Sequence, residues 1–130
     1  MYKSLILATV TAFTLTACDA YAAGHAPAAI QTMDAAGGTI LTDAESMSLY
    51  TFDNDTAGKS NCNGGCAKKW PPLLAAADAA EAGEYGLIKR KDGTMQWAYN
   101  GEALYFWAGD KRAGDVKGDG VGGIWHLARP

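Results

Sequence analysis

The chain has 130 residues, room for one domain and not two. Hydrophobic residues make up 48% and charged residues 19%, which excludes wholesale disorder. Fourteen acids against eleven bases give a net charge of -3, and no basic stripe is present, so no nucleic-acid partner is expected.

The chain begins with an address. Lys3 supplies a positive start, and Leu5 to Leu15 is an uncharged, mostly apolar run. At roughly a dozen residues the run is shorter than the ~20 that a bilayer-spanning helix needs, so residues 1–17 read as a signal peptide. Leu15-Thr16-Ala17-Cys18 resembles a bacterial lipobox, whose cysteine is acylated and becomes the mature N-terminus. On this reading Cys18 is the lipidation site, its acyl chains (palmitate among them) hold the lipoprotein to the membrane, and residues 18–29 form an Ala-rich tether. A competing cleavage follows Ala20-Tyr21-Ala22, before Ala23, and would release a soluble periplasmic or secreted domain. The lipobox is favoured because it directly abuts the apolar run. Asp19 resembles the residue that retains enteric lipoproteins in the inner membrane. Either route delivers the domain outside the cytoplasm, facing the periplasm when lipid-anchored. Losing Lys3 alone leaves fourteen acids against ten bases, a net charge of about -4.

Residues 30–130 read as a single β-domain made of two repeats, about 30–72 and 85–130. Residues 38–55 align with 93–110 over eighteen positions without a gap, offset by 55. Gly38 matches Gly93, Thr39 matches Thr94, Leu49 matches Leu104, Tyr50 matches Tyr105 and Asp55 matches Asp110. Phe52 meets Trp107, and Trp70 and Trp125 close the copies at the same offset. Each copy is expected to be a β-meander. In the first, Gly37-Gly38 and residues 43–46 mark the turns. Between the copies Pro71-Pro72 breaks the chain, and residues 73–82 are helix-capable up to Gly83. In the second, strands are expected over 87–91, 94–99 and 102–107, separated by Asp92-Gly93 and Asn100-Gly101, dipeptides that favour tight hairpin turns. Period-2 alternation puts Tyr50 with Phe52, and Tyr105 with Trp107, on one face, with Leu49 and Leu104 on the other. The fold class is therefore mainly β. A small antiparallel sheet or meander is built from two tandem repeats, with one or two short helices in the inter-repeat connection.

Tyr50-Thr51-Phe52-Asp53-Asn54-Asp55 and Tyr105-Phe106-Trp107-Ala108-Gly109-Asp110 both fit Y-x-[FWY]-x-x-D. Together with Ser60-Asn61-Cys62-Asn63-Gly64-Gly65-Cys66, Trp70-Pro71-Pro72 and Trp125-His126-Leu127, they make the chain resemble the bacterial secreted-repeat lipoproteins that this motif defines. The resemblance covers roughly residues 28 to 130. It implies location and architecture; the family's function is unknown, and no catalytic residue comes with it.

With Cys18 acylated or removed, Cys62 and Cys66 are the two cysteines left to pair, in an oxidising compartment. Gly64 and Gly65 let the chain curl between them, so a structural disulfide is expected; a redox-active pair is the alternative, although the spacing is not C-x-x-C. Asp55 and Asp110 are expected to cap turns. Metal ligation with Asp53, Asp115 and Asp119 is the competing reading, but Asp53-Asn54-Asp55 departs from an EF-hand loop at Ala57 and Gly64. Ala57-Gly58-Lys59-Ser60 imitates only the end of a phosphate-binding loop. His25 and His126 stand isolated, and no hydrolase motif offers a nucleophile or an acid–base pair. No catalytic residue, metal or cofactor is expected. Most of the aromatics should form the core, and a surplus on one face could bind a glycan, peptide or quinone-like ring. The function that follows is an envelope-tethered, non-enzymatic binding or structural module, partnered by the membrane through its lipid and by an envelope protein or glycan. The alternative is a periplasmic electron-transfer or thiol-redox accessory, in which Cys62 and Cys66 cycle or the aromatics hold a cofactor.

Overall fold

The computed structural model describes residues 26–130, so the signal peptide, Cys18, His25 and most of the tether lie outside the described residues. Among the described residues no helix is long and apolar enough to cross a membrane.

The first repeat opens with a hairpin of β1 (Ile30–Ala35) and β2 (Gly38–Asp43), closed by Ala36-Gly37 at φ 50° and 81°. Two successive left-handed residues match the twist of the flanking strands, which favours this two-residue turn. β3 (Tyr50–Phe52) carries the first motif, and α1 (Gly65–Lys69) and β4 (Leu74–Ala75) follow. The second repeat contributes β5 (Tyr85–Lys89), β6 (Met95–Tyr99), β7 (Glu102–Ala103) and β8 (Trp125–Leu127), with a 3-10 turn over Val121–Gly123. All pairing is antiparallel, in small sheets: β1 with β2, β3 with β8, and β6 flanked by β5 on one side and by β4 and β7 on the other.

Asn100-Gly101 forms the expected two-residue turn, with φ 49° and 82° and Tyr99 opposite Glu102. Asp92-Gly93 does not. That turn spans three residues, closed by Arg90 N–H to the Thr94 carbonyl at 2.8 Å, with Gly93 left-handed and Asp92 Oδ1 accepting the Thr94 N–H. The strand expected over 87–91 lies earlier, at Tyr85–Lys89. Of the strand expected over 102–107, only Glu102 and Ala103 are regular, because beyond them the chain leaves β6 to meet the first repeat. Residues 73–82 are not helical. The Leu73 carbonyl accepts the Trp97 N–H at 2.9 Å and Leu74-Ala75 pairs with β6. This pairing outweighs the helix propensity of an Ala-rich run that has little apolar face to bury. The helix that does form, α1, precedes the inter-repeat connection.

The repeats interlock. Tyr50 and Tyr105 pair with each other, N–H to carbonyl, at 2.8 and 3.0 Å, and this exchange marks a pseudo-two-fold axis. β3 pairs with β8 of the second repeat, and at the equivalent place Tyr105 pairs with Pro72 of the first. Each half therefore closes the sheet of the other.

The hairpins depart from the gap-free alignment. Leu41 donates to Ala128 and accepts from Leu49, as Trp97 donates to Leu73 and accepts from Leu104. The counterpart of Leu41 is thus Trp97, 56 residues on, although Leu49 and Leu104 stand 55 apart. The extra residue sits in the three-residue turn before β6, and the link from β6 to Leu104 is correspondingly shorter. Gly93 therefore takes the structural place of Gly37, not of Gly38.

The alternation within each motif separates two apolar clusters, as expected. Tyr50, Tyr105, Trp70 and Trp125 pack on one side with Phe52 and Trp107 against them; Leu49 and Leu104 join Ile30, Leu41 and Trp97 on the other.

Candidate functional site

The two motifs meet at the pseudo-two-fold axis and complete one another. The Tyr50 hydroxyl donates to Asp110 Oδ2 at 2.6 Å, and the Tyr105 hydroxyl donates to Asp55 Oδ2, also at 2.6 Å. Each aspartate uses its other oxygen at home. Asp55 Oδ1 accepts the Asn61 N–H at 2.7 Å, and Asp110 Oδ1 accepts the Lys117 N–H at 2.9 Å. The expected turn-capping is real, but it is half of the aspartate's work.

The second partner of each phenol oxygen differs. Tyr50 accepts the Gly118 N–H at 3.1 Å. A Cβ at Gly118 would lie 2.8 Å from the Tyr50 ring and 3.0 Å from Trp107 Cβ, so only glycine lets this backbone approach. Tyr105 instead meets the Ser60 hydroxyl at 2.7 Å. With the Tyr105 proton committed to Asp55, Ser60 donates here and itself accepts from Arg90 Nη1 at 3.0 Å. Arg90, 6% exposed, also reaches Gln96 Oε1 at 2.8 Å and the Cys62 carbonyl at 2.7 Å. Gln96 Nε2 ends the chain on the Leu104 carbonyl at 2.8 Å. Arg90, Ser60, Gln96 and Gly118 hold this network in place, a part that sequence reasoning missed.

Burial raises the phenol pKa of both Tyr50 and Tyr105, and the carboxylates of Asp110 and Asp55 add to the rise. Burial also lifts Asp55, opposed by its bonds from Tyr105 and Asn61 and by the Arg90 charge. A phenol whose pKa is raised by folding stabilises the fold fully below its ordinary value of about 10, and that contribution is lost as pH rises above it. Alkaline titration is therefore expected to ionise Tyr50 and Tyr105 only as the near-UV circular dichroism collapses. A single ordinary phenol step with the dichroism intact would contradict this coupling.

The loops beyond the two aspartates are stapled differently. In the first half Cys62 and Cys66 form the expected disulfide, with Cα atoms 5.2 Å apart and Cys62 fully buried. Closing so short a loop stabilises by about 2 kcal/mol. In the second half Asp115 Oδ2 accepts the N–H groups of Lys111 and Arg112 at 2.9 and 3.1 Å, and Asp119 Oδ1 accepts the Leu127 N–H at 3.0 Å. The alternative metal ligands are thus drawn into separate turns, and no cluster of three His, Cys, Asp or Glu among the described residues is arranged to hold a metal ion. His126 is not isolated: its Nε2 lies 2.8 Å from Asp53 Oδ2 at the surface.

Aromatic rings run through the axis. Phe52 stacks on Trp125 at 4.1 Å and Trp125 on Trp70 at 3.8 Å, while Trp70 meets Trp107 tilted by 33° at 4.2 Å between centroids. Tyr50 meets Trp70 edge-on at 5.5 Å and Tyr105 meets Trp125 edge-on at 5.2 Å. Beside Phe52 an open groove of about 510 Å³ is lined by Asp53, Asp55, Thr56, Asn100 and Glu102.

A family model described as a secreted repeat of unknown function matches twice, over residues 31–74 and 86–129. Comparison with curated proteins and with solved structures gives no match. The two matched segments are the two halves that exchange strands and tyrosine–aspartate bonds across the axis. The chain belongs to this family of secreted repeats of unknown function.

Proposed function

We propose that the protein is a non-enzymatic binding module of the bacterial envelope, acylated at Cys18, that takes cationic groups in the groove beside Phe52. Export is consistent with the secreted family, and the acyl anchor with the lipobox. The observation that carries the binding reading is the lining of that groove. The carboxylates of Asp53 and Glu102 line it together with the Phe52 ring, Asp55 adds a charge whose oxygens are already bonded within the fold, and among the described residues lining it there is no Lys or Arg. Its volume falls in the range of ligand sites, and a ring beside carboxylates suits an ammonium or guanidinium, on a polyamine or on a side chain of an envelope protein. The motif itself is committed to architecture, since both oxygens of Asp55 and of Asp110 are engaged within the fold.

Titration of the isotope-labelled protein with spermidine and with a lysine-rich peptide tests this. Amide signals of Thr56 and Asn100 are expected to shift, and Glu102→Gln or Asp53→Asn to weaken binding by about 0.5–1 kcal/mol each, as for exposed ion pairs. Added salt should weaken it further. Unmoved groove signals with both probes would overturn the reading. A thiol-redox role has less support, because Cys62 is wholly shielded from solvent and only the half-buried Cys66 offers a sulfur to an incoming thiol.

A further inference from the structure

We infer that the stacked tryptophans and the two carboxylate-bound tyrosines form a relay and store for single oxidising equivalents. This inference is independent of the cation-binding reading. Packing alone requires apolar volume, which aliphatic side chains supply. Here Trp107, Trp70 and Trp125 instead lie in succession, Trp70 and Trp125 stacked with centroids 3.8 Å apart and Trp107 tilted by 33° on Trp70 at 4.2 Å, close enough for direct electron exchange between rings. Tyr50 and Tyr105 abut that stack edge-on, one on Trp70 and one on Trp125.

The hydroxyl partners carry the argument further. A buried phenol is satisfied by any carbonyl, whereas a carboxylate taken from water is costly to place there. Both halves nevertheless put an aspartate oxygen 2.6 Å from the phenol. A carboxylate is the partner a phenol needs if it is to lose an electron, because the oxidised phenol sheds its proton at once. Folding disfavours the phenolate of both residues, so the proton does not leave ahead of the electron and needs the carboxylate to receive it on oxidation.

A strong one-electron oxidant at the surface, a radical or a high-potential metal complex, takes one electron from the half-buried Trp107 and is reduced. Trp70 refills Trp107. Tyr50 then gives an electron to Trp70 while its O–H bond breaks and a new O–H bond forms on Asp110 Oδ2. The products are the reduced oxidant, a neutral tyrosyl radical and a protonated Asp110. Passage on to Trp125 reaches Tyr105 and Asp55 in the same way. An external one-electron donor, a thiol or quinol, reverses the sequence through the stack. The opposite end of the stack is Phe52, whose ring is far harder to oxidise than indole, so entry is at Trp107.

Photogenerated tris(bipyridyl)ruthenium(III), with absorption and electron paramagnetic resonance detection, tests the relay. In the native chain an indole radical is expected to decay as a tyrosyl radical grows. The double variant Tyr50→Phe/Tyr105→Phe measures the background from the remaining tyrosines. Trp107→Phe places at one end of the stack the ring that already occupies the other, and its folding is checked by near-UV dichroism. It is expected to lower the tyrosyl yield several-fold towards that background. An unchanged yield in folded Trp107→Phe, or no native yield above background, overturns the relay. If either variant fails to fold, the native chain decides: tyrosyl growth is expected to slow in heavy water, and equal rates overturn the proposal.

Discussion

Replacement of Tyr50 or Tyr105 by alanine is expected to cost about 3–5 kcal/mol, as for other deletions of a buried aromatic ring. Both side chains are fully buried, and each holds one edge of the tryptophan stack. The substitution does more than open a cavity. It strands Asp110 or Asp55 without the donor that answered its buried oxygen, a penalty of about 1–3 kcal/mol where relaxation does not relieve it. Against a typical domain stability of 5–15 kcal/mol, the alanine variants should sit near the edge of folding, with urea midpoints far below that of the parent. Phenylalanine separates the contributions, since it keeps the ring and loses only the hydroxyl. Tyr50→Phe and Asp110→Ala should be less than additive when combined, because each removes the same bond. Urea midpoints unchanged in the alanine variants would mean that the rings are not core anchors.

Arg90→Leu should be comparably damaging, at about 3–5 kcal/mol in all, because each buried acceptor left without its donor costs about 1–3 kcal/mol. Two guanidinium nitrogens serve Ser60 Oγ, Gln96 Oε1 and the Cys62 carbonyl, so the change leaves three acceptors short of donors. Arg90→Lys should restore only part of the loss, because one ammonium cannot reproduce a planar fork. The neighbours provide the contrast. Lys89 and Lys91 are exposed, and alanine at either should change stability by no more than about 0.5 kcal/mol. Denaturation of the four variants side by side checks this, and equal effects at 89, 90 and 91 would remove Arg90 from the core.

Arg90 also shows where sequence reading stops. Lys89-Arg90-Lys91 before Asp92-Gly93 looks like a solvated basic turn, and two of its three side chains are exposed. Only the third residue of the turn, which lengthens it and sets the register of β5 against β6, reveals that the middle one points inward. Local signals were legible. Asn100-Gly101 states its turn through backbone preference, and the alternation of Leu49 and Tyr50, like that of Leu104 and Tyr105, sorts the two apolar clusters. The disulfide followed from two cysteines and two glycines. The partner of each motif tyrosine was not legible. Tyr50 and Asp55 lie five residues apart and suggest a local pair, yet Tyr50 bonds an aspartate 60 residues away because the repeats exchange strands. The Ala-rich stretch over 73–82 failed for a related reason: its intrinsic preference yields to a strand partner, β6, that lies some twenty residues further along.

That exchange of strands governs the order in which the chain becomes a protein. Tyr50 waits for Leu127, and Phe52 for Trp125, so the first motif has no sheet until β8 has arrived. Contacts this distant in sequence slow folding, since the intervening chain must be ordered before they repay the cost of closure. A nascent or half-exported chain lacking β8 holds an open aromatic face, and a solitary repeat would do the same. Such a chain stays pliable enough to thread outward through a narrow passage, and it is exposed to aggregation for as long as it waits. Two solitary repeats could satisfy one another only by meeting face to face, as the two halves of this chain do within one molecule.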